Sequence, residues 1–171
     1  LNTITIASLP FMNASQGNRA VMGAKHVQQA LPLKYRDTRL VDMEIPFGDE
    51  RKSIAEVAGS YMIPVSPVDG TVLAIDEDYI RIKGTDGKVY NVDYDHNTPL
   101  ATKTLLKNTP LVKVGDKVKV DQKLTDSNFS KNGVLALGKN LEVAYMTYHG
   151  LNHEDGIVIS DTTAKKLTSM H

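Results

Sequence analysis

From Tyr61 to Asp126 the chain is a succession of short alternating runs broken by glycine-bearing turns, and that texture commits the stretch to β structure. Ile63 and Val65 lead into Asp69-Gly70, a turn signal, and Thr71–Ile75 follows as a strand. Tyr79–Lys83 and Lys88–Asp93 both alternate, with Gly84-Thr85-Asp86-Gly87 joining them as a tight hairpin. Residues 94–108 are polar and read as a loop. Leu111–Val114, Gly115-Asp116 and Lys117–Val120 read as a further strand–turn–strand. Residues 61–126 are therefore expected to form one compact all-β module.

The flanks are mixed. Residues 3–9 alternate and predict a strand, which Pro10 interrupts. Residues 17–31 carry good helix formers and predict a helix ended by Pro32. Its polar residues would ordinarily make a solvated face. Residues 49–58 read as a short helix, with Asp49 and Glu50 at the start and Gly59 at the end. Residues 127–134 are loop-like. Leu141–Tyr148 reads as a buried strand and Gly156–Ser160 as another. Ser160 and Asp161 can cap a last short helix reaching Leu167.

Composition excludes more than it identifies. The 171 residues suffice for one large domain or two small ones, and 41% hydrophobic with 23% charged residues is ordinary for a packed core. Lys+Arg and Asp+Glu are 20 each, so no overall positive charge marks a free-standing nucleic-acid binder. Without cysteine there is no disulfide framework and no Cys-ligated zinc. Tryptophan is absent and aromatics are 6%, which argues against a stacking surface for single strands. No apolar run reaches the roughly 18 residues of a membrane span, and Leu1-Asn2-Thr3 has no basic signal-peptide region. A chain opening on Leu1 and stopping at Met170-His171 reads as an internal fragment.

Two chemistries can be weighed from residues alone. His149, His153, Glu154 and Asp155 cluster like the ligands of a metal hydrolase. Gly150, Asn152 and Gly156 disfavour the helix that would put both histidines on one face, and an extended segment would hold the rings about 13 Å apart. A lipoyl- or biotinyl-type carrier would show its lysine at a hairpin tip, usually between methionines. Here Lys88 and Lys117 only flank the tips, and no methionine is adjacent.

Three blocks then resemble the beta subunit of multisubunit, DNA-directed RNA polymerases of bacterial type. The first is Leu9-Pro10-Phe11, Gly17-Asn18-Arg19-Ala20-Val21-Met22-Gly23-Ala24 and Gln29-Ala30-Leu31-Pro32-Leu33. The second, weaker alone, is Pro110–Val118. The third is Leu135–Asn140, Val143–Met146 and Gly150–Ser160, with Glu154-Asp155 at its centre. There are departures: Asn13-Ala14-Ser15-Gln16 stands where the family is acidic, His153 replaces an aromatic residue, and Lys25-His26 replaces a more neutral pair. Such divergence would suit a phage-encoded enzyme.

The resemblance implies a mostly β, α+β chain: part of a double-psi β-barrel and hybrid-binding region with an inserted barrel–sandwich hybrid module. Residues 1–60 would be the first part of the barrel region, 61–126 the module, and 127–171 the second part. It further implies that Arg19 approaches the triphosphate of the incoming NTP and that Asn18 supports it or touches the ribose. Gln29 would lie near the RNA 3′ end, and Lys25, with no close family match, would add a phosphate contact. Glu154 and Asp155 would sit beside the second, nucleotide-associated Mg2+, with Asp155 the nearer. The main Mg2+ ligands would belong to the beta-prime subunit. Implied partners are beta-prime and the other subunits, DNA template, RNA transcript and NTPs, with no membrane. The implied location is the cytoplasm, or host cytoplasm or virion for a phage enzyme. The chain alone would be inactive. A purely structural polymerase domain is the other reading of the same resemblance.

Overall fold

The computed structural model describes residues 3–100 and 104–170. The alternation in residues 3–9 does not produce a strand. Ile4–Ala7 is a single helical turn, α1, and the Thr3 hydroxyl accepts from the Ile6 N–H. Alternation needs a partner strand, and none pairs here; a threonine cap settles the local conformation instead. Helix α2, Gly17–Gln28, is shorter than the sequence predicts. Gln29 closes it, donating its N–H to the Lys25 carbonyl, and the Ala30 N–H donates to that of Val27.

The expected helix over 49–58 is displaced. β1 (Glu44–Phe47) and β2 (Glu50–Ser53) form a hairpin turning at Gly48, whose φ of 63° lies in the left-handed region. Helix α3 spans Ile54–Ser60, with the Ser53 hydroxyl accepting from the Glu56 N–H. Ser53 and Glu56 have capping-box spacing, a stronger start signal than Asp49 and Glu50, which lie in the turn and strand.

The β module contains the expected meander: β3 (Gly70–Ile75), β4 (Tyr79–Gly84) and β5 (Val89–Asp93). The polar stretch expected as a loop holds short strands β6 (Thr98–Pro99), β7 (Leu105–Leu106) and β8 (Asn108–Pro110). Of the two strands predicted across 111–120, only β9 (Lys117–Val118) forms, against β3, giving the order β5-β4-β3-β9. Residues 111–114 turn instead, held by the Asp116 carboxylate accepting from the Lys113 N–H at 2.8 Å. The core is Val72, Ile80, Ile82, Val112, Val118 and Leu124.

The stretch 127–134 is likewise not a plain loop. β10 (Thr125–Ser127) pairs with β8, and β11 (Ser130–Lys131) pairs with β12 (Val134–Leu135). Leu135 packs with Ala55 and Ala58 of α3 in a second small core. A Cβ on Gly59 would stand 2.5 Å from the Gly133 carbonyl, so α3 and this hairpin touch backbone to backbone. The largest departure lies at 141–148 and 156–160, expected as strands. Both are irregular and exposed; Val143 is 72% and Ile157 85% accessible. Apolar sequence forms buried strands only when something pairs with and covers it, and the described residues provide neither. Helix α4, Asp161–Lys166, starts at its Ser160 cap as expected. Among the described residues no helix is long and apolar enough to cross a membrane.

Residues 32–39 lie against the 127–170 portion. Lys34 donates its N–H to Thr168, Met170 to Pro32 and Asp37 to Gly138. The Arg36 guanidinium donates to the carbonyls of Ser127 and Ser130. The Asp37 carboxylate meets Lys139 Nζ at 2.7 Å and Lys131 Nζ at 3.5 Å. The hydrogen bond from Lys139 above all, with the Asn140 N–H and both lysine charges, holds the Asp37 carboxyl below its ordinary value, against an opposing effect of burial. A carboxyl depressed by folding contributes stability above its unfolded value and loses it as pH falls through the folded one. The difference in stability between wild type and Asp37→Asn is therefore expected to be constant above about pH 5 and to shrink toward pH 3. Thermal unfolding across that range checks it; a difference that does not change with pH would remove Asp37 from the acid response.

Candidate functional site

Helix α2 rests on α1 through small residues. Ala24 is buried, and a Cβ on Gly23 would meet the Leu9 side chain at 3.3 Å. Gln28 Nε2 donates to Thr5 Oγ1 at 3.4 Å. With the Gly23, Ala24 and Val27 side turned inward, Asn18, Met22, Lys25 and Gln29 line one exposed stripe, since spacings of four, three and four residues keep to one face. Arg19 is exposed beside that stripe, with Nη1 directed at Met22 Sδ, 3.6 Å away. The fold thus places Asn18, Arg19, Lys25 and Gln29 on the solvent side of one helix.

The charge along the sequence around this helix is one-sided. Residues 1–36 contain Arg19, Lys25, Lys34 and Arg36 but no aspartate or glutamate. All 20 acids lie from Asp37 onward. No ion pair among the described residues involves Arg19, Lys25 or His26. The whole-chain charge of zero conceals this segregation; a running charge count along the sequence exposes it.

Glu154 and Asp155 sit on an exposed turn. His149 and Gly150 have φ of 50° and 71°, and Glu154 itself has φ of 54°. Asn152 fastens the turn, accepting from the Tyr148 N–H at 2.9 Å and donating to the Met146 carbonyl at 2.6 Å. The segment is therefore not extended, so the two neighbouring carboxylates do not alternate as they would along a strand. Glu154 Oε1 lies 3.9 Å from His153 Nε2 with both side chains open to solvent, a pairing of little energetic weight.

No hydrogen bond or ion pair among the described residues joins Arg19 to Glu154 or Asp155. Two cavities stand out among the described residues, and neither is lined by these three residues. One, of about 480 Å³, lies beside Asp76, Tyr94 and His96. The other, about 580 Å³ and apolar, lies beneath α2 between Val27, Ala58, Met62, Phe129 and Leu137. Among the described residues no group of three or more His, Cys, Asp or Glu is placed to hold a metal. Two adjacent exposed carboxylates do fit Mg2+ in a lesser role, because that ion takes one or two carboxylates and fills its other positions with water and phosphate oxygens.

The sequence model of the family described as RNA polymerase Rpb2, domain 6, matches residues 72–170. The chain belongs to this family. It is 35% identical, along its whole length, to the DNA-directed RNA polymerase subunit beta of Mesomycoplasma hyopneumoniae strain 7448. It is 32% identical over 99% of its length to that of Prochlorococcus marinus strain MIT 9312, and 33% over 93% to that of Gloeobacter violaceus. The chain spans only 14–15% of the length of these relatives. The family places the β meander, the Glu154-Asp155 turn and α4 within one homologous unit, and the whole-chain relatives extend the likeness to α2. The mostly β, α+β character agrees with membership, and the carrier and hydrolase readings are left without support.

Proposed function

We propose that this chain is part of the catalytic core of a multisubunit DNA-dependent RNA polymerase, where it helps to hold the incoming NTP, its metal and the RNA 3′ end. The observation that carries the proposal is the exposed face of α2, on which Arg19, Lys25, Asn18 and Gln29 gather with no carboxylate in the surrounding sequence. Phosphoryl transfer asks the protein chiefly for positioning and for neutralisation of charge on phosphate oxygens. The Arg19 guanidinium offers a planar fork of donors to a triphosphate, and Lys25 a point charge. Asn18 supports Arg19 or meets the ribose. The Gln29 amide both donates and accepts, as contact with a hydroxylated RNA end requires.

Glu154 and Asp155 are the groups that would attend the second Mg2+, which would supply charge neutralisation for phosphate oxygens there. The main metal ligands belong on this reading to the beta-prime subunit, and DNA, RNA and the other subunits complete the site. The enzyme would work in the cytoplasm of its cell or, if phage-encoded, of its host. An NTP carrying a photoreactive group on its γ-phosphate, bound to the assembled polymerase, is expected to label residues 17–29. Labelling that spares α2 altogether would favour a purely structural role for this chain.

A further inference from the structure

We propose that Asn152 is a positioning residue for the Glu154-Asp155 pair: its side-chain amide fixes the backbone from which both carboxylates are presented. The proposal rests on the reading of these acids as attendants of the nucleotide-associated metal. Asn152 is the only residue between 141 and 160 that is not exposed. Its amide is used at both ends, Oδ1 accepting from the Tyr148 N–H at 2.9 Å and Nδ2 donating to the Met146 carbonyl at 2.6 Å. One side chain thus ties residue 152 to two backbone positions ahead of the turn. Within the loop so closed, the Leu151 N–H donates to the Tyr148 carbonyl at 2.9 Å.

A second point is fixed on the far side of the acids. The Gly156 N–H donates to the His153 carbonyl at 3.1 Å. A Cβ on Gly156 would stand 3.0 Å from both the Asn152 Cα and the Leu151 carbonyl oxygen. Backbone lies on backbone there, and Glu154 and Asp155 span the short arc between Asn152 and Gly156. Neither hydrophobic core includes a residue of 141–160, so hydrogen bonds rather than packing hold this arc. Glu154 has a φ of 54°, a conformation that glutamate keeps only where its surroundings impose it. Without the Asn152 amide the loop over 146–152 opens, and Glu154 is free to return to negative φ. That rotation would redirect its own carboxylate and that of Asp155.

The test uses the assembled polymerase carrying Asn152→Ala or Gly156→Ala. The turn lies outside both cores, so neither variant should hinder folding, and co-purification with the other subunits checks assembly. The first readout is the Mg2+ concentration that gives half-maximal nucleotide addition at fixed NTP. Asn152→Ala should raise it about tenfold, the size of change seen when support behind a metal-facing group is lost. The rate should recover as Mg2+ is increased. Gly156→Ala, which displaces the same arc with the amide intact, should shift it in the same direction. The second readout is not activity: Fe2+ replaces Mg2+, and ascorbate with peroxide generates hydroxyl radicals that cut the chain beside the ion. Wild type should show an NTP-dependent cut within 153–156 that weakens in Asn152→Ala. If wild type is cut there and Asn152→Ala changes neither the cut nor the Mg2+ requirement, the role of Asn152 is overturned. A rate lowered equally at every Mg2+ concentration overturns it too, because general damage would act in that way. If wild type shows no NTP-dependent cut within 153–156, the metal reading of Glu154 and Asp155 fails and takes this one with it.

Discussion

Replacing Arg19 with alanine is expected to raise the apparent KM of the assembled polymerase for NTPs by about ten- to a hundredfold, because charge-assisted hydrogen bonds contribute roughly 1.5–3 kcal/mol. The loss should be largest at limiting NTP and should shrink as NTP approaches saturation, if the contact is equally strong in the ground and transition states. Arg19→Lys keeps the charge but not the fork and should recover only part of the loss. Assembly should be untouched: the side chain is exposed and its recorded polar contact is with the Met22 sulfur. Steady-state kinetics at low and high NTP settles the matter. Unchanged rates at low NTP would remove Arg19 from the site.

The second large effect is on stability. Ile82 is fully buried in the centre of the β5-β4-β3-β9 sheet, within the core that contains Val72, Ile80 and Leu124. Ile82→Ala should cost about 2–5 kcal/mol, combining lost burial with the cavity left in a packed interior, whereas Ile82→Val should cost about 1 kcal/mol. In a chain of this size that lowers the melting temperature by roughly 10 °C for alanine and a few degrees for valine. Leu73 lies one residue from Val72 on the same strand but is 42% exposed, so Leu73→Ala should change little. Equal losses at positions 73 and 82 would show that the sheet does not bury the face assigned to it.

The β meander was legible because it is locally determined: each strand alternates, and Asp69-Gly70 and Thr85-Asp86-Gly87 mark the turns. Ser160 announced α4 in the same way. The misreadings fall where local signals conflict or where the deciding partner is distant. Ser53 outranks Asp49 as a cap, and Thr3 diverts an alternating run into a helix. Residues 141–160 have apolar content that no other described part of the chain covers. At the candidate site, Asn18, Arg19 and Gln29 were recognisable from their block, but the charge field around them was hidden by whole-chain neutrality. The left-handed backbone at Glu154 had no signal, because glutamate carries no preference for that conformation.

The bridge between Leu33 and Ser169, with the Lys34 and Met170 hydrogen bonds beside it, also bears on how the molecule is made. These contacts join residues well over a hundred positions apart, just beyond the end of α2. Closing so long a loop has an entropic cost that nothing local offsets, and chains rich in such distant contacts fold slowly. The meander, whose strands are neighbours in sequence, can form early and wait. The footing of the arginine-bearing helix would then be the last part to lock, only after nearly the whole segment has been synthesised.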